Sequence, residues 1–373
     1  MHVRTLIEGT PDWLQLLETV YKIHVVRDEY LVSLKYNLIE SPMAEPIVQE
    51  CRGMVVDTSG IPRILAHPYN KFWNLGEPLA DTIDWSTARV QEKLDGSLIT
   101  MFFHYGLDKW CVASSGHPTA GGSFGASEET FRDGFWRIFA ELGMKLPPVT
   151  VEIGFGYSLG TEVCYMFELC ATENRVVVRH DKPRIVVHGA RFLGAGSEMP
   201  RELLRLTAAA CNWELVKEHP LTSIDDVMAA VEALDPIQNE GFVVVDAAFN
   251  RVKIKSPRYV ILHHLKGEAT PRRAIELWQT GEAGELLMHF PEMAPQILPI
   301  QERLDNAAHA ALACFYKHCT LPTRKDFALA VKEEPWAAAV FLLYKEAAPT
   351  LDHAKTIMRG QSLAALERLL ERV

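Results

Sequence analysis

The sequence predicts an α+β chain in two parts, strand-rich to about residue 260 and helical from there to residue 373. Two observations predict this. Up to Ile254, β-branched and other apolar residues come in short runs bounded by Gly, Pro, Asn, Asp and Ser, the texture of strands and hairpins. From Pro257 the apolar spacing becomes helical, with prolines at 271, 291, 299, 322, 335 and 349 as punctuation. A first domain is expected over 1–260 and a second over 261–373, with the boundary near 256–265. A chain of 373 residues, 48% hydrophobic and 23% charged, can bury a core in each.

Pro11 to Tyr21 reads as a short helix capped by Thr10, with Trp13, Leu14, Leu17 and Val20 on one face. Ile23 to Tyr36 alternates as one or two strands. A turn containing Pro42 and Pro46 leads to Glu50-Cys51-Arg52-Gly53. Strands follow at Met54–Val56 and Ile61–Ala66, then at Gln91–Lys93, Leu98–Phe103 and Trp110–Ala113. The glycine-rich loop SSGHPTAGGSFGAS at 114–127 lacks the Gly-Lys-(Ser/Thr) of a P-loop. Ser127-x-x-Thr130 opens a helix to about Leu142. Val149–Ile153, Glu162–Leu169 and Arg184–Phe192 read as strands, and Pro200–Cys211 and Ile224–Leu234 as helices. Gly241–Val245 and Arg251–Ile254 form a hairpin. The second part reads as helices Pro271–His289, Ile300–His318, Arg324–Glu333, Trp336–Ala347 and Leu351 to the end.

No apolar run is long enough to span a bilayer, and MHVRTLIEGTPDW lacks the apolar core of a signal peptide. The seven cysteines are scattered without a C-x-x-C pair, which argues for a reducing compartment such as a cytoplasm. Cys314, His318 and Cys319 sit in a helical pattern and read as buried thiols rather than a metal site. The formal charge is −10, and the last 113 residues are nearly neutral, with 13 Lys+Arg against 14 Asp+Glu. Any contact with nucleic acid must therefore come from a local basic surface.

The chemistry centres on Glu92-Lys93-Leu94-Asp95-Gly96-Ser97-Leu98. Lys93 falls at a strand end beside a turn that Gly96 permits by adopting φ > 0. A solvated lysine in a hairpin is the plain alternative. A lysine has an ordinary pKa of about 10.4 and attacks only when desolvation or nearby cations lower it. Attack on a triphosphate would need further cations along the phosphates, carboxylates, and a glycine for close approach. The chain supplies them in order: Glu168, Glu240-Gly241, then Lys253 and Lys255, which alternate on one strand face.

Lys-x-Asp-Gly-(Ser/Arg) resembles the signature of the covalent nucleotidyltransferases, namely ATP-dependent DNA and RNA ligases and capping guanylyltransferases. Over roughly residues 30 to 265 the chain resembles the bacteriophage ATP-dependent RNA ligases of the single-strand-joining, tRNA-repair branch. The upstream stretches Tyr36-Asn37, Pro46 to Gly53 and Lys71-Phe72-Trp73-Asn74 carry that resemblance. So do Phe167-Glu168…Asn174-Arg175-Val176-Val177, Ile185 to Arg191 and Lys253-x-Lys-Ser-x-x-Tyr259.

The resemblance implies an antiparallel-sheet nucleotidyltransferase domain followed by an all-α domain. It implies Lys93 as nucleophile, with Glu240, Lys253 and Lys255 as its catalytic partners. Tyr36, Arg52, Lys71, Glu92, Gly96, Glu168 and Gly241 complete the ATP site it implies. Glu168 would bind ribose or orient a metal-bound water. Mg²⁺ or Mn²⁺ would be held through Glu240, with Glu282 and Glu285 as further candidates, Glu285 the favoured one. The implied partner is RNA with 5′-phosphate and 3′-hydroxyl ends, nicked tRNA being the favoured guess, acted on by a monomer. The glycine-rich loop departs from the pattern, carrying His117 where the family has a lysine or arginine. A capping enzyme or DNA ligase is the first rival, though those usually append an all-β module. A non-catalytic nucleotide- or RNA-binding protein on the same scaffold is the second.

Overall fold

The computed structural model describes residues 1–125, 128–149, 152–153, 157–158, 160–266, 270–281, 283–346 and 348–372. It divides into two compact units, Met1–Val260 and Ile261–Val373.

The first unit opens with α1 (His2–Gly9) and α2 (Trp13–Thr19). The sequence gives α1 no side-chain cap of its own. Its free N–H groups at His2 and Val3 instead donate to the buried carboxylate of Glu50, both at 2.9 Å. Strands β1 (Ile23–Asp28) and β2 (Leu31–Tyr36) lead to a single turn, α3 (Pro46–Glu50), with Pro46 at its start. Then come β3 (Arg52–Asp57) and β4 (Arg63–Ala66), and β1 to β4 pair in that order as an antiparallel sheet.

The chain continues through β5 (Trp73–Asn74), β6 (Arg89–Lys93), β7 (Ser97–His104) and β8 (Lys109–Ser114) to α4 (Phe131–Glu141). Thr130 caps α4 through the Asp133 N–H. The short pair β9 (Glu152–Ile153) and β10 (Tyr157–Ser158) precedes β11 (Val163–Cys170) and β12 (Arg184–Phe192). Next are α5 (Arg201–Ala210), β13 (Glu214–Leu215), β14 (Glu218–His219) and α6 (Ile224–Glu232). The hairpin of β15 (Gly241–Val245) and β16 (Arg251–Lys255) closes the strands. Two five-stranded sheets result, ordered β13-β12-β11-β7-β8 and β14-β6-β15-β16-β5. The α+β expectation is met, with parallel pairings only at β12–β13 and β16–β5 in these two sheets.

The first of these sheets buries Ile99, Phe167 and Val187 against Phe135 of α4 and Trp213. Its aromatic rings meet edge to face, Phe167 lying 5.0 Å from Trp213 and 5.8 Å from Phe135. Each such ring stabilises by about 1.5–3 kcal/mol through burial alone. The second sheet packs a smaller aliphatic layer, Val90, Val244, Val252 and Ile254, with Val227 and Val231 of α6.

The division between the units falls within α7 (Pro257–Lys266). In the second unit, α8 (Pro271–Thr280) stops where Gly281 turns left-handed at φ +79°, and α9 (Ala283–His289) begins after it. The single helix expected over 271–289 is therefore two. Then α10 (Ala294–His318) extends upstream of the expected Ile300 and carries Pro299 inside it. That proline interrupts the backbone ladder without ending the helix. The rest is α11 (Arg324–Val331), α12 (Ala337–Leu343), α13 (Leu351–Arg359) and α14 (Leu363–Arg372). Ala307, Ala308 and Ala311 on α10 let neighbouring helices approach around Phe327, Val340 and Leu366. Among the described residues no helix is long and apolar enough to cross a membrane.

Candidate active site

Register brings the predicted residues together. Gly241 pairs with Lys93 on one side and Lys255 on the other, so the two lysines flank one glycine in a row across the sheet. Gly241 has φ +151°, and a Cβ there would collide with the Ile254 carbonyl. No other residue fits that position. Glu240, one residue earlier and 3% exposed, accepts from Lys93 Nζ at 2.6 Å and pairs with Lys255 Nζ at 2.9 Å. One carboxylate thus faces two ammonium groups.

Lys253 follows on the same strand face. Its pKa is pushed down to about 8, first by burial and then by the charges of Lys71, Lys255, Lys93 and Arg52. Burial and Arg52 lower Lys71 as well, and its ammonium lies 5.7 Å from the Tyr36 ring and 4.7 Å from the Trp73 ring. Burial raises the Tyr36 phenol against the opposing pull of Arg52. Arg52 lies 4.7 Å over Phe72, and its Nη1 has no hydrogen-bond partner among the described residues.

The turn after Lys93 is fastened from three directions. Asp95, 4% exposed, accepts the Val177 and Val178 N–H groups at 2.8 and 2.7 Å and the Tyr259 hydroxyl at 2.8 Å. The Asp95 carbonyl also meets His180 Nε2 at 2.8 Å. The Gly96 N–H donates to Glu168 Oε1 at 3.2 Å. The sequence suggested a positive φ at Gly96, and the structure corrects this: Gly96 is absent from the left-handed glycines. Its lack of a side chain is needed for space instead, because a Cβ would strike the Leu169 carbonyl.

Arg52, Glu92, Lys93, Gly96 and Glu168 line a cavity of about 260 Å³. Glu92, Lys93 and Glu240 also line a wider groove of about 760 Å³, rimmed by Arg179, Lys182 and Arg184. Lys93 therefore reaches both spaces. Tyr36 and Lys71 stand beside Arg52 rather than on the cavity wall.

His117 does not stand in for the missing basic residue of the loop. Its Nδ1 accepts from the Gly121 and Thr119 N–H groups at 3.2 and 3.3 Å and so organises the loop itself. Glu282 lies outside the described residues, as does the side chain of Glu285.

Sequence reasoning missed a buried charged group in the cavity wall. Arg251 is clamped by Glu198 at 2.9 and 2.8 Å, and its guanidinium lies 4.1 Å over Tyr69. Burial would lower the Arg251 pKa, but Glu198 overrides it and the net shift is upward. The signal was present for Arg251, which alternates with Lys253 and Lys255 along β16. Nothing in the sequence linked it to Glu198, 53 positions away.

A family model described as RNA ligase matches residues 50–259. The chain is similar to an RNA ligase of Rhodothermus phage RM378, at 24% identity over 310 residues, 68% of each chain. It is similar also to a protein of Autographa californica nuclear polyhedrosis virus named for both polynucleotide kinase and RNA ligase, at 24% identity over 346 residues. That match takes 89% of this chain and 47% of the viral one, so the chain spans about half of that relative. Among solved structures, an archaeal ATP-dependent RNA ligase aligns with a TM-score of 0.48 at 11% identity, covering 83% of this chain and 82% of that one. With more than half its length matched by the family model, the chain belongs to the RNA ligase family.

Proposed function

We propose that this chain is an ATP-dependent RNA ligase that seals a 5′-phosphate to a 3′-hydroxyl through an AMP–Lys93 intermediate. The observation that carries this is the row Lys93–Gly241–Lys255, with Glu240 between the two ammonium groups and Lys253 on the same strand face. In the first step Lys93 Nζ attacks the α-phosphorus of ATP. A P–N bond forms, the bond to the β-phosphate breaks, pyrophosphate leaves, and the amine gives up a proton. In the second step an oxygen of the RNA 5′-phosphate attacks the same phosphorus, the P–N bond breaks, and Lys93 regains its proton. In the third the RNA 3′-oxygen attacks the 5′-phosphorus, its proton is lost, and AMP departs.

Lys253 and Lys255 stabilise charge on the phosphates. Arg52 and Lys71 offer further cations, with Tyr36 beside them. Glu168 and Gly96 lie where a ribose would sit against the turn, and Glu92 lines the same wall. No three His, Cys, Asp or Glu side chains gather as a metal cage among the described residues. Glu240 and Glu168 beside phosphate-binding cations fit the other mode, in which Mg²⁺ or Mn²⁺ takes one or two carboxylates, waters and substrate phosphates. Such an ion supplies charge screening on the phosphates. Glu240, held by two lysines, is its first candidate ligand.

The substrate class follows the family, RNA with ligatable ends. A nicked tRNA, a monomeric enzyme and action in the cytoplasm of a bacterial or phage-infected cell are the finer parts of the proposal. The helical unit is assigned the reading of RNA shape. Arg324 and Lys325, exposed at the start of α11, have no ion-pair partner among the described residues, whereas Arg272 and Arg273 share Glu276.

Incubation with α-labelled ATP tests the core of this. The protein should become labelled and lose the label on adding 5′-phosphorylated RNA. Labelling by GTP instead would favour a capping activity, and ATP binding without an adduct would favour a non-catalytic role. Reversing Arg324 and Lys325 to Glu should leave the adduct intact and lower the preference for a nicked stem-loop over an unstructured oligonucleotide. Unchanged preference would make that surface structural.

A further inference from the structure

We propose that His188 is a positioning residue of the nucleotide cavity, holding the Glu168 carboxylate for a ribose hydroxyl and itself held by Tyr69. The proposal rests on the reading of Glu168 as the ribose-facing carboxylate.

The backbone places His188 there by a defect in pairing. Along β11 and β12, Met166 faces Gly189 and Phe167 faces Val187, so His188 is an extra residue with no partner opposite it. Such a bulge re-aims a side chain, and bulges gather next to active sites. Val187 and Ala190, on either side, both enter the large core. His188 is instead on the cavity wall with Glu168 and Lys93.

Its two ring nitrogens are differently engaged. Nδ1 lies 3.1 Å from the Tyr69 hydroxyl, and the rings stack with centroids 5.4 Å apart. Gly189 makes room for that hydroxyl, since a Cβ there would strike it. Burial pushes the Tyr69 phenol well up, so it stays protonated and can donate to Nδ1. The imidazole proton then sits on Nε2. Nε2 is buried, has no hydrogen-bond partner among the described residues, and lies 3.6 Å from Glu168 Oε2. That distance is too long for a hydrogen bond and short enough to close on binding. The other oxygen, Oε1, takes the Gly96 N–H. Oε1 thus has one donor from the protein, Oε2 faces Nε2 across a gap still to be closed, and each oxygen keeps a lone pair for the ligand. The chain Tyr69–His188–Glu168–Gly96 ties the ribose-facing carboxylate to the turn that carries Lys93.

Single-turnover adenylation of the full chain with ATP, 2′-deoxy-ATP and 3′-deoxy-ATP tests this. Wild type should prefer ATP over at least one deoxy analogue. His188→Phe keeps a ring to stack on Tyr69 but has no donor for Glu168. It should lose about 10- to 100-fold in kcat/KM for ATP, mainly through KM, with little change for the disfavoured analogue. His188→Gln, whose amide can donate, should recover part of the preference. Tyr69→Phe should act in the same direction more weakly. In a Glu168→Ala background, His188→Phe should have no further effect. Equal losses for ATP and the analogue, or a full additional loss on top of Glu168→Ala, would reduce His188 to packing and overturn the assignment. A labelled wild type whose preference survives in His188→Phe would sink this inference alone, whereas an unlabelled wild type would sink the ligase mechanism beneath it.

Discussion

The two five-stranded sheets meet the same cavity with opposite chemistry. The β6–β15–β16 sheet brings Lys93 and Arg251 to its wall, with Lys253 and Lys255 further along β16, while the β11–β12 sheet brings Glu168 and His188. Their other faces differ as well. The cationic sheet rests on a thin aliphatic layer, and the carboxylate sheet on the aromatic core around Phe135, Phe167 and Trp213. The lesson is a separation of duties. Charge is concentrated where replacing it disturbs little packing, and geometry is set where packing is densest.

Lys93→Ala is the sharpest test of that separation. It should abolish the labelled adduct entirely while the thermal unfolding midpoint stays close to wild type. A surviving adduct would break the comparison at its root. Phe167→Ala, on the other sheet, should do the reverse, costing about 3–5 kcal/mol in denaturant unfolding. Its adenylation should fall only in proportion to the folded fraction.

Lys253→Ala and Lys255→Ala should each fold normally and slow adenylation by about 10²–10³-fold. Wild-type joining rates in both would make β16 a charged edge strand and nothing more.

The pH profile sharpens the same contrast. Lys253 titrates near 8. Below that value it is charged and can grip a phosphate; above it the grip is lost. Its contribution to kcat/KM for ATP should therefore fall as pH rises through about 8, and Lys253→Arg should move that limb upward.

The smallest expected effect is on stability. The Lys253 pKa is depressed below its unfolded value, so between about 8 and 10.4 the unfolded chain binds more protons and stability rises with pH. Lys253→Met should remove this slope and raise the unfolding midpoint at pH 7. A lowered midpoint would show that the cationic row contributes to packing after all.

Much of this was legible in the chain order. Lys93, Glu168, Glu240, Lys253 and Lys255 come together because strand register follows apolar alternation, which sequence shows directly. The hairpin of β15 and β16 and the long strand β12 were legible for the same reason. What escaped depends on contacts distant in sequence. The first helix is capped by a carboxylate 47 and 48 positions away, so no local signal announced it. The bulge that exposes His188 is a mismatch between two strands, and neither strand alone reveals it. Gly96 was singled out for conformational freedom, whereas its lack of a side chain is what the turn uses, since the Leu169 carbonyl that crowds it lies on another strand.

Asp95 gathers groups that the ribosome releases at well-separated times. The N–H groups it accepts come 82 and 83 residues later, and the Tyr259 hydroxyl 164 residues later. A nascent chain emerging N-terminus first carries Lys93 long before the turn beside it can be locked. The final donor arrives only when the last residues of the first unit have been made. The site is thus completed at the end of that unit's synthesis, and a ribosome stalled before residue 259 would hold a nucleophile with its turn still missing a clasp.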